Sequence, residues 1–299
     1  MTVSATVAIT NPLIFPIASH VTAECVEVTD INDAGGAVYP SVTVVVTSVW
    51  EVVSDAMLDR FPNATALFNM AIGTDNIDFQ ALEKRNIQFS GVGQLGSIET
   101  AELGIGLLIA ISRNLVRNHL FVSNNVWATS NDIPFGYTIQ GKRCGIFGLG
   151  QVGAAVASRA AGLGMQVSYY SRQPKPVPYQ YCDSVLQLAR VSDYLVLCCE
   201  SNADTYHCIN GEVLEALGEK GFLINIARGA VVDDDALTDA LTEKKIGGAA
   251  LDVFEAEPAV QPVYRALDNV ILSPHMGSRT HDNVENMFRY IAGLVNQVA

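Results

Sequence analysis

The chain has 299 residues, a formal net charge of -13 and 49% hydrophobic residues. This length is sufficient for two domains with their own hydrophobic cores, and the negative charge disfavours nucleic acid or an anionic membrane as a partner. An anionic substrate must therefore be attracted by local basic groups rather than by the charge of the whole protein.

Neither export nor membrane insertion is indicated by the sequence. The longest apolar run, residues 103–111, is too short to span a bilayer and predicts a buried helix. The N-terminal residues lack the basic region, apolar stretch and cleavage site that mark a signal peptide. The six cysteines have no Cys-x-x-Cys spacing, which argues for reduced structural thiols rather than disulfides or a metal site, so we expect a cytoplasmic protein.

The first hundred residues alternate short β-rich runs with helical runs, a pattern that predicts a small parallel-sheet α/β domain. The expected strands cover residues 7–9, 42–46, 66–68 and 87–89, and the expected helices cover residues 52–58 and 79–84. The loop after the third of these strands contains Met70, Ala71, Ile72 and Gly73, whose main-chain N–H groups could face a ligand. An ordinary strand-to-helix connection explains the same spacing equally well.

A long helix begins the second region of the chain. Ser97 can cap this helix, with Glu99 and Glu102 near the positive end of its dipole, and we expect a hinge between two domains just before it. Residues 118–141 are rich in loop-forming residues and carry aromatic side chains such as Trp127. This segment is either an arm that packs on a second subunit or a long linker.

An apolar strand at residues 143–147 runs into glycines spaced Gly-x-Gly-x-x-Gly. Such glycines allow a tight turn, close approach of the backbone to a pyrophosphate and close packing of the next helix, whose N-terminus attracts the anion. Glycines alone also mark ordinary strand-to-helix turns. Here a helix that ends near residue 163 and a strand at residues 166–170 complete a βαβ unit. The expected dinucleotide contacts are Gly148, Leu149, Gly150, Gln151, Val152 and Gly153.

Six strands separated by helices are expected from residue 143 onward, which is the element count of a doubly wound dinucleotide-binding domain. The strands cover residues 143–147, 166–170, 194–199, 221–226, 248–253 and 269–272. Asp183, Asn210 and Asp233 precede the intervening helices as expected N-terminal caps. A last helix at residues 281–298 is expected to return to the first domain.

In such sheets the ligand lies beyond the carboxyl ends of the strands. Arg228, Glu257 and His275 follow the fourth, fifth and sixth strands of this region, and together they suit hydride transfer at a nicotinamide. Each also has an ordinary interpretation: Arg228 in a structural ion pair, Glu257 as a solvated loop acid, and His275 as a capping or core histidine. The remaining histidines lack such neighbours and are interpreted as structural or surface residues: His20, His119, His207 and His281.

Several segments of the chain resemble the D-isomer-specific 2-hydroxyacid dehydrogenase family. The similar segments are residues 148–153, 223–229, 247–258 and 274–278, which occur in the family's order and cover nearly the whole chain. Residues 170–176 are similar to the NADPH-dependent glyoxylate, hydroxypyruvate and hydroxyphenylpyruvate reductases of this family.

The resemblance implies an α/β fold of two doubly wound parallel-sheet domains. A flavodoxin-like substrate domain would comprise residues 1–97 and 279–299, and a Rossmann dinucleotide-binding domain would comprise residues 98–278. The family also works as a homodimer. Two departures from the family pattern are residues 92–94, where many members have a proline-containing turn, and residues 199–201 near the adenosine of the cofactor.

The resemblance further implies roles for the site residues. Arg228 would hold the carboxylate and carbonyl oxygen of a small 2-oxo acid, His275 would protonate that oxygen as hydride arrives, and Glu257 would bind the other ring nitrogen. The main-chain donors of residues 70–73 would face the substrate carboxylate. The expected cofactor contacts on the nicotinamide side are Ile226, Ala227, Arg228, Asp252, His275 and Gly277, with Asp252 near the carboxamide.

The residues after the second strand of the dinucleotide domain favour NADPH, although NAD remains possible. An NAD enzyme usually has an acidic residue there to bind the ribose hydroxyls, whereas this chain has Ser171, Arg172 and Gln173, with Lys175 slightly later. A hydroxyl and a guanidinium suit a 2′-phosphate. Alternatively, Arg172 is a solvated loop charge, and Glu200 would oppose a phosphate if it points inward.

We therefore expect an enzyme that reduces glyoxylate or hydroxypyruvate. One alternative is an aromatic oxo acid such as hydroxyphenylpyruvate as the substrate, and another is a non-catalytic, nucleotide-sensing co-regulator on the same scaffold. The Met70 loop and Trp50 are expected to shape the substrate pocket.

Overall fold

The structure is a computed structural model that describes residues 5–29, 31 and 36–298. The expected domain ranges also include residues 1–4, 30, 32–35 and 299, which lie outside the described residues. The chain divides into two compact units, one of Met1–Gly96 with Arg279–Ala299 and the other of Ser97–Ser278. Each unit contains its own parallel sheet.

The described residues of the first unit form five parallel strands. These are β1 (Thr6–Ile9), β2 (Glu24–Glu27), β3 (Val42–Thr47), β4 (Ala66–Asn69) and β5 (Gln88–Gly91). Their order in the sheet is β2-β1-β3-β4-β5, which is the flavodoxin-like order and confirms the expected fold. The sequence did not predict β2, because this edge strand has only exposed and half-buried residues and lacks the apolar run of β1.

Helices cover both faces of this sheet. On one face, α9 (His281–Val298) and a 3₁₀ helix at Pro12–His20 bury apolar side chains such as Phe288 and Ile291 against the strands. The chain thus returns to the first unit at its C-terminal end. Burial of each such side chain contributes about 1.5–3 kcal/mol, so α9 is an integral part of this core.

The opposite face of the first sheet is covered by α1 (Asp55–Leu58) and α2 (Phe79–Lys84), which bury Leu58 and Leu82. The predicted bounds of α2 are confirmed. The predicted start of α1 at residue 52 is wrong, because Ser54 caps the helix by accepting a hydrogen bond from the N–H of Met57 at 3.2 Å.

The described residues of the second unit form a seven-stranded parallel sheet. Its strands are β6 (Arg143–Phe147), β7 (Gln166–Tyr170), β8 (Gln180–Tyr181), β9 (Tyr194–Leu197), β10 (Phe222–Asn225), β11 (Gly248–Leu251) and β12 (Val270–Leu272). The order β12-β11-β10-β9-β6-β7-β8 is the Rossmann order with one further strand at the β12 edge. All six predicted strands are present, and only the two-residue β8 was missed.

Helices pack on both faces of the second sheet. They are α3 (Ser97–Ser112), α5 (Gln151–Gly162), α6 (Val185–Arg190), α7 (Gly211–Leu217) and α8 (Asp234–Thr242), whereas α4 (Leu115–Ser123), which follows α3, buries none of its residues. Leu108 of α3 and Val156 of α5 lie in the core on one face, whereas Leu188, Leu214 and Leu237 of the other three helices lie in the core on the opposite face. No helix of the described residues is long and apolar enough to cross a membrane.

The ends of these helices test the predicted caps. Asn210 and Asp233 cap α7 and α8 as predicted, and each side chain accepts a backbone hydrogen bond, at 3.2 and 3.0 Å. The predicted cap Asp183 is wrong, because the hydroxyl of Ser184 accepts the hydrogen bond from Gln187 N that caps α6. The predicted loop at residues 118–141 is also partly wrong, since α4 continues to Ser123.

Candidate active site

The turn between β6 and α5 has the geometry of a phosphate-binding loop. Gly148 has a φ of +92°, and a Cβ there would lie 2.6 Å from Cys199 Cα. A Cβ on Gly153 would lie 1.9 Å from the carbonyl oxygen of Gly148, so only glycine allows α5 to approach the strand this closely. A Cβ on Gly150 would meet no described atom within 4 Å. The backbone at Gly150 is therefore open to a ligand, at a helix N-terminus that favours anions.

No side chain of the described residues caps the N-terminus of α5. Its first N–H groups, those of Gln151, Val152 and Gly153, are consequently the donors that a pyrophosphate would use. The residues of the glycine motif thus fit a dinucleotide.

The loop after β7 contains the residues predicted to recognise the adenosine end of the cofactor. The hydroxyl of Ser171 donates a hydrogen bond to the carbonyl oxygen of Gln173 at 2.7 Å. The Arg172 guanidinium lies 3.9 Å from the Glu200 carboxylate, and both side chains are more than four-fifths exposed. Such an exposed pair is worth about 0–1 kcal/mol, so neither partner is fixed by it. Lys175 Nζ donates to the carbonyl oxygen of Leu149 at 2.5 Å and thereby connects this loop to the glycine turn.

Arg228 lies three residues after the end of β10, in a turn held by Asn225. The Asn225 side-chain oxygen accepts a hydrogen bond from Ala227 N at 3.0 Å, and its Nδ2 donates to the carbonyl oxygen of Arg228 at 3.0 Å. Arg228 Nη1 donates to the carbonyl oxygen of Ala227 at 2.8 Å. The next residue must be glycine, since a Cβ on Gly229 would lie 1.9 Å from the Phe254 carbonyl carbon. The turn that carries Arg228 is therefore packed directly against the segment that follows β11.

Glu257 and His275 form a hydrogen-bonded pair. His275 Nδ1 lies 2.7 Å from Glu257 Oε2, and the two side chains are 21% and 18% exposed. Burial raises the pKa of Glu257, but the hydrogen bond and charge of His275, the N–H of Phe254 and the charge of Arg228 outweigh burial, so its pKa is lowered. Glu257 is therefore ionised at neutral pH and accepts the Nδ1 proton of His275. The predicted role of His275 as the acid uses its other ring nitrogen, Nε2.

The loop of His275 is held by the buried carboxylate of Asp252. Asp252 Oδ1 accepts hydrogen bonds from the Ser273 hydroxyl at 2.5 Å and Met276 N at 2.8 Å, and Oδ2 accepts one from Gly277 N at 2.9 Å. Asp252 is 1% exposed, and its carbonyl oxygen accepts a hydrogen bond from His275 N at 2.8 Å. Asp252 thus orients the chain segment on which His275, at a φ of +53°, projects its ring. Its predicted place near the nicotinamide carboxamide stays a prediction.

The loop of residues 70–73 belongs to the first unit. The N–H of Met70 donates to the carbonyl oxygen of Thr47 at 2.8 Å, so the expectation that this N–H faces a ligand is wrong. The N–H groups of Ala71, Ile72 and Gly73 stay predicted donors. In the same unit, the Arg279 guanidinium carbon lies 4.0 Å from the centroid of the Trp50 ring.

Some residues that organise the site were not predicted. Asn225 could have been noticed as a polar residue that ends a buried strand. The interpretation of His207 as a residue without neighbours of this kind is wrong, because its Nε2 lies 2.9 Å from Glu255 Oε1. Only the fold brings this pair together, and no sequence spacing indicates it.

The flavodoxin-like and Rossmann sheets, with an arginine and a histidine–carboxylate pair at the carboxyl ends of neighbouring strands, define a nucleotide-dependent dehydrogenase. Residues 105–277 match the family described as D-isomer specific 2-hydroxyacid dehydrogenase, NAD binding domain. The chain belongs to the D-isomer-specific 2-hydroxyacid dehydrogenase family. It is an NAD(P)-dependent oxidoreductase that acts on a CH–OH group.

Individual relatives support the same class. The chain is 39% identical over 236 residues to the glyoxylate/hydroxypyruvate reductase HPR3 of Arabidopsis thaliana, covering 79% of this chain and 73% of the relative. It is 39% identical over 238 residues to the hydroxyphenylpyruvate reductase of Plectranthus scutellarioides, covering 79% and 76%. A solved structure of the NADPH-dependent glyoxylate/hydroxypyruvate reductase of Sinorhizobium meliloti, in complex with NADP and malonate, aligns with a TM-score of 0.89. That alignment has 28% identity and covers 97% of this chain and 92% of the other.

Proposed function

We propose that the protein reduces glyoxylate or hydroxypyruvate with NADPH to the 2-hydroxy acid, which has the D configuration where the carbon is chiral. The observation that carries this proposal is the 2.7 Å contact between His275 Nδ1 and Glu257 Oε2, with Arg228 close enough to stabilise the Glu257 charge. The choice of substrate is supported by relatives that are named for these two oxo acids.

Three side chains would share the work of the reaction. The fixed fork of N–H donors on Arg228 would hold the carboxylate and the carbonyl oxygen of the oxo acid. The reduced nicotinamide supplies the hydride that the carbonyl carbon accepts. His275 would donate the Nε2 proton to the carbonyl oxygen, while its Nδ1–H stays bonded to Glu257. The Glu257 carboxylate would hold the His275 ring in one orientation and tautomer for the transfer.

The cofactor would be held at three places along the carboxyl edge of the second sheet. The N–H groups of residues 151–153 would bind the pyrophosphate, and Ile226, Ala227 and Asp252 would lie on the nicotinamide side. At the adenosine end, Ser171 and Arg172 would bind a 2′-phosphate. The exposed Arg172 would exchange its weak contact with Glu200 for the phosphate, because a bond to a dianion is the stronger interaction.

We further propose that the first unit binds the oxo acid and that the protein is a homodimer in the cytoplasm. The dimer is supported by apolar side chains between residues 115 and 137, among which Trp127 is 60% and Phe135 is 89% exposed. The cytoplasm is supported by the cysteines, since all six lie among the described residues and all are free thiols.

Steady-state kinetics with four oxo acids and both reduced cofactors test the assigned substrate, cofactor and proton donor. We expect the highest kcat/KM for glyoxylate or hydroxypyruvate, ahead of pyruvate and 4-hydroxyphenylpyruvate. His275→Ala should lower kcat by roughly a hundred- to ten-thousandfold while NADPH binding is retained. Preference for 4-hydroxyphenylpyruvate would instead favour the activity for which the Plectranthus relative is named. Tight NADPH binding without turnover of any oxo acid would favour a nucleotide-sensing co-regulator.

A further inference from the structure

Three segments of the second unit meet beside the Glu257–His275 pair: residues 206–209, 228–232 and 254–257. The first segment is attached to the second by backbone hydrogen bonds, from His207 N to the carbonyl oxygen of Ala230 at 2.9 Å and from Ile209 N to that of Val231 at 3.1 Å. The second is packed on the third at Gly229, which leaves no room for a Cβ beside Phe254. The segment after β9 is therefore bound directly to the loop of Arg228 and, through that loop, contacts the loop of Glu257.

The side chain of His207 makes a second attachment, to the third segment. Its Nε2 lies 2.9 Å from Glu255 Oε1, and the Tyr206 hydroxyl lies 3.4 Å from the same oxygen. The His207 and Glu255 side chains are 30% and 33% exposed, so solvent screens this pair less than a fully exposed one. The rings of Tyr206 and His207 also stack, with centroids 3.9 Å apart. The His207 ring is thus held in place from one side while it binds Glu255 on the other.

Glu255 lies two residues before Glu257, in a short loop that contains a further internal bond. Glu257 Oε1 accepts a hydrogen bond from Phe254 N at 2.9 Å, so the loop closes on itself. Its two carboxylates face different partners: Glu255 binds His207, and Glu257 binds His275. A movement of the loop that breaks the contact of Glu255 with His207 would also displace the Glu257 carboxylate from His275.

We propose that His207 is a positioning residue of the active site: its Nε2–H anchors Glu255 and so keeps the Glu257 carboxylate aligned with His275, while its backbone N–H anchors the turn of Arg228. This inference rests on the proposed function, because alignment matters only if His275 is the acid. His207 itself touches neither the substrate nor the transferred proton.

The two attachments of His207 predict separable effects. The side chain holds the loop of Glu257 and His275, whereas the backbone holds the turn of Arg228. Removal of the ring alone should therefore impair proton donation, which determines kcat, and leave carboxylate binding, which contributes to KM, nearly intact. His207 has a φ of +49°, a conformation that asparagine tolerates well, so His207→Asn preserves the backbone but is too short to reach Glu255. Gln has an amide N–H at about the reach of Nε2 and should replace the ring.

The experiment compares His207→Asn, Glu255→Ala, the double variant and His207→Gln in the full chain. We expect His207→Asn and Glu255→Ala each to lower kcat about tenfold, with the KM for the oxo acid and the Kd for NADPH within about twofold of wild type. The double variant should be no worse than either single variant, because both remove one interaction. His207→Gln should keep kcat within about twofold of wild type.

A control for a merely structural role is the ion pair of Arg143 and Asp193, which are 2.7 Å apart at the amino edge of the same sheet. Asp193→Asn should lower Tm without changing kcat. A wild-type kcat in His207→Asn, equal losses in the Gln and Asn variants, or additive losses in the double variant would each overturn the inference.

Failure of the proposed function would show differently, as a wild-type protein that turns over none of the oxo acids. The inference is then decided by proton NMR of the chain without substrate, in which the low-field Nδ1 proton of His275 is identified by its upfield shift in Glu257→Gln, where a neutral amide replaces the carboxylate. This resonance should broaden or move in His207→Asn and Glu255→Ala and persist in His207→Gln. An unchanged resonance in the first two variants would overturn the inference whatever the wild type catalyses.

Discussion

The charge of Glu257 should control turnover rather than substrate affinity. In Glu257→Gln, an amide oxygen can still accept the Nδ1 proton of His275, so the ring keeps its orientation but loses the charge opposite its protonated form. His275 Nδ1 and Glu257 Oε2 are 2.7 Å apart, and the two side chains are 21% and 18% exposed. The contact is therefore a short, partly buried hydrogen bond between charged groups. Such a charge-assisted bond is worth about 1.5–3 kcal/mol, which corresponds to a loss of roughly ten- to a hundredfold in kcat.

Steady-state kinetics of the variant and wild type at neutral pH would measure this effect. We expect the KM for the oxo acid to change less than about twofold, because Arg228 is untouched. Glu285→Gln is a matched control, since it removes the carboxylate from another histidine pair, with His20 at 3.7 Å in the first unit. A wild-type kcat in Glu257→Gln would refute the role of this charge.

Three further predictions concern the cofactor and stability. Arg172→Ala should lower kcat/KM about tenfold with NADPH and leave it nearly unchanged with NADH, and equal losses would contradict phosphate recognition. Gly153→Ala places a Cβ 1.9 Å from the Gly148 oxygen and should cost about 1–3 kcal/mol of unfolding free energy, whereas Gly150→Ala should keep Tm and weaken NADPH binding. Finally, the pKa of Asp193 is lowered mainly by its hydrogen bond with Arg143, and that of Glu257 is lowered because the bond and charge of His275, the N–H of Phe254 and the charge of Arg228 together outweigh burial. The stabilisation of the fold by these two ionised carboxylates is therefore complete above the unfolded pKa values of about 4 and is lost as pH falls through the lower folded values. Urea unfolding at a series of pH values would detect this loss of stability. The loss should be smaller in Asp193→Asn.

The sequence was most informative where one local rule determines the structure. The strands of the second sheet are continuous apolar runs that parallel packing buries on both faces, as in β9 and β10. The three glycines at residues 148–153 follow such a strand at fixed spacing. Arg228, Glu257 and His275 could be selected because polar residues just beyond these strands must meet at one edge of the sheet.

The parts that were missed depend on contacts between distant segments or on exposed edges. β2 and β8 lie at the edges of their sheets, where their residues are exposed or half-buried and need not be apolar. The ring of His207 is 48 residues from its partner Glu255, and neither residue has a spacing that marks the pair. The occupied N–H of Met70 could not be foreseen either, because its acceptor belongs to β3. Such contacts follow from the register of neighbouring strands, which a single sequence does not specify.

The register of β10, β11 and β12 has a consequence for redesign of the enzyme. Asn225 pairs with Leu251, and Leu251 with Leu272, so the three strands end level with one another and the loops of Arg228, Glu257 and His275 start from one line. The spacing between these starting points is that of hydrogen-bonded strands, about 4.8 Å each, and does not depend on the length of the connections at the other edge. The exposed turn at residues 243–245, between α8 and the start of β11, lies at that other edge. Extra residues, or new chain termini, introduced at this turn should leave the catalytic geometry intact.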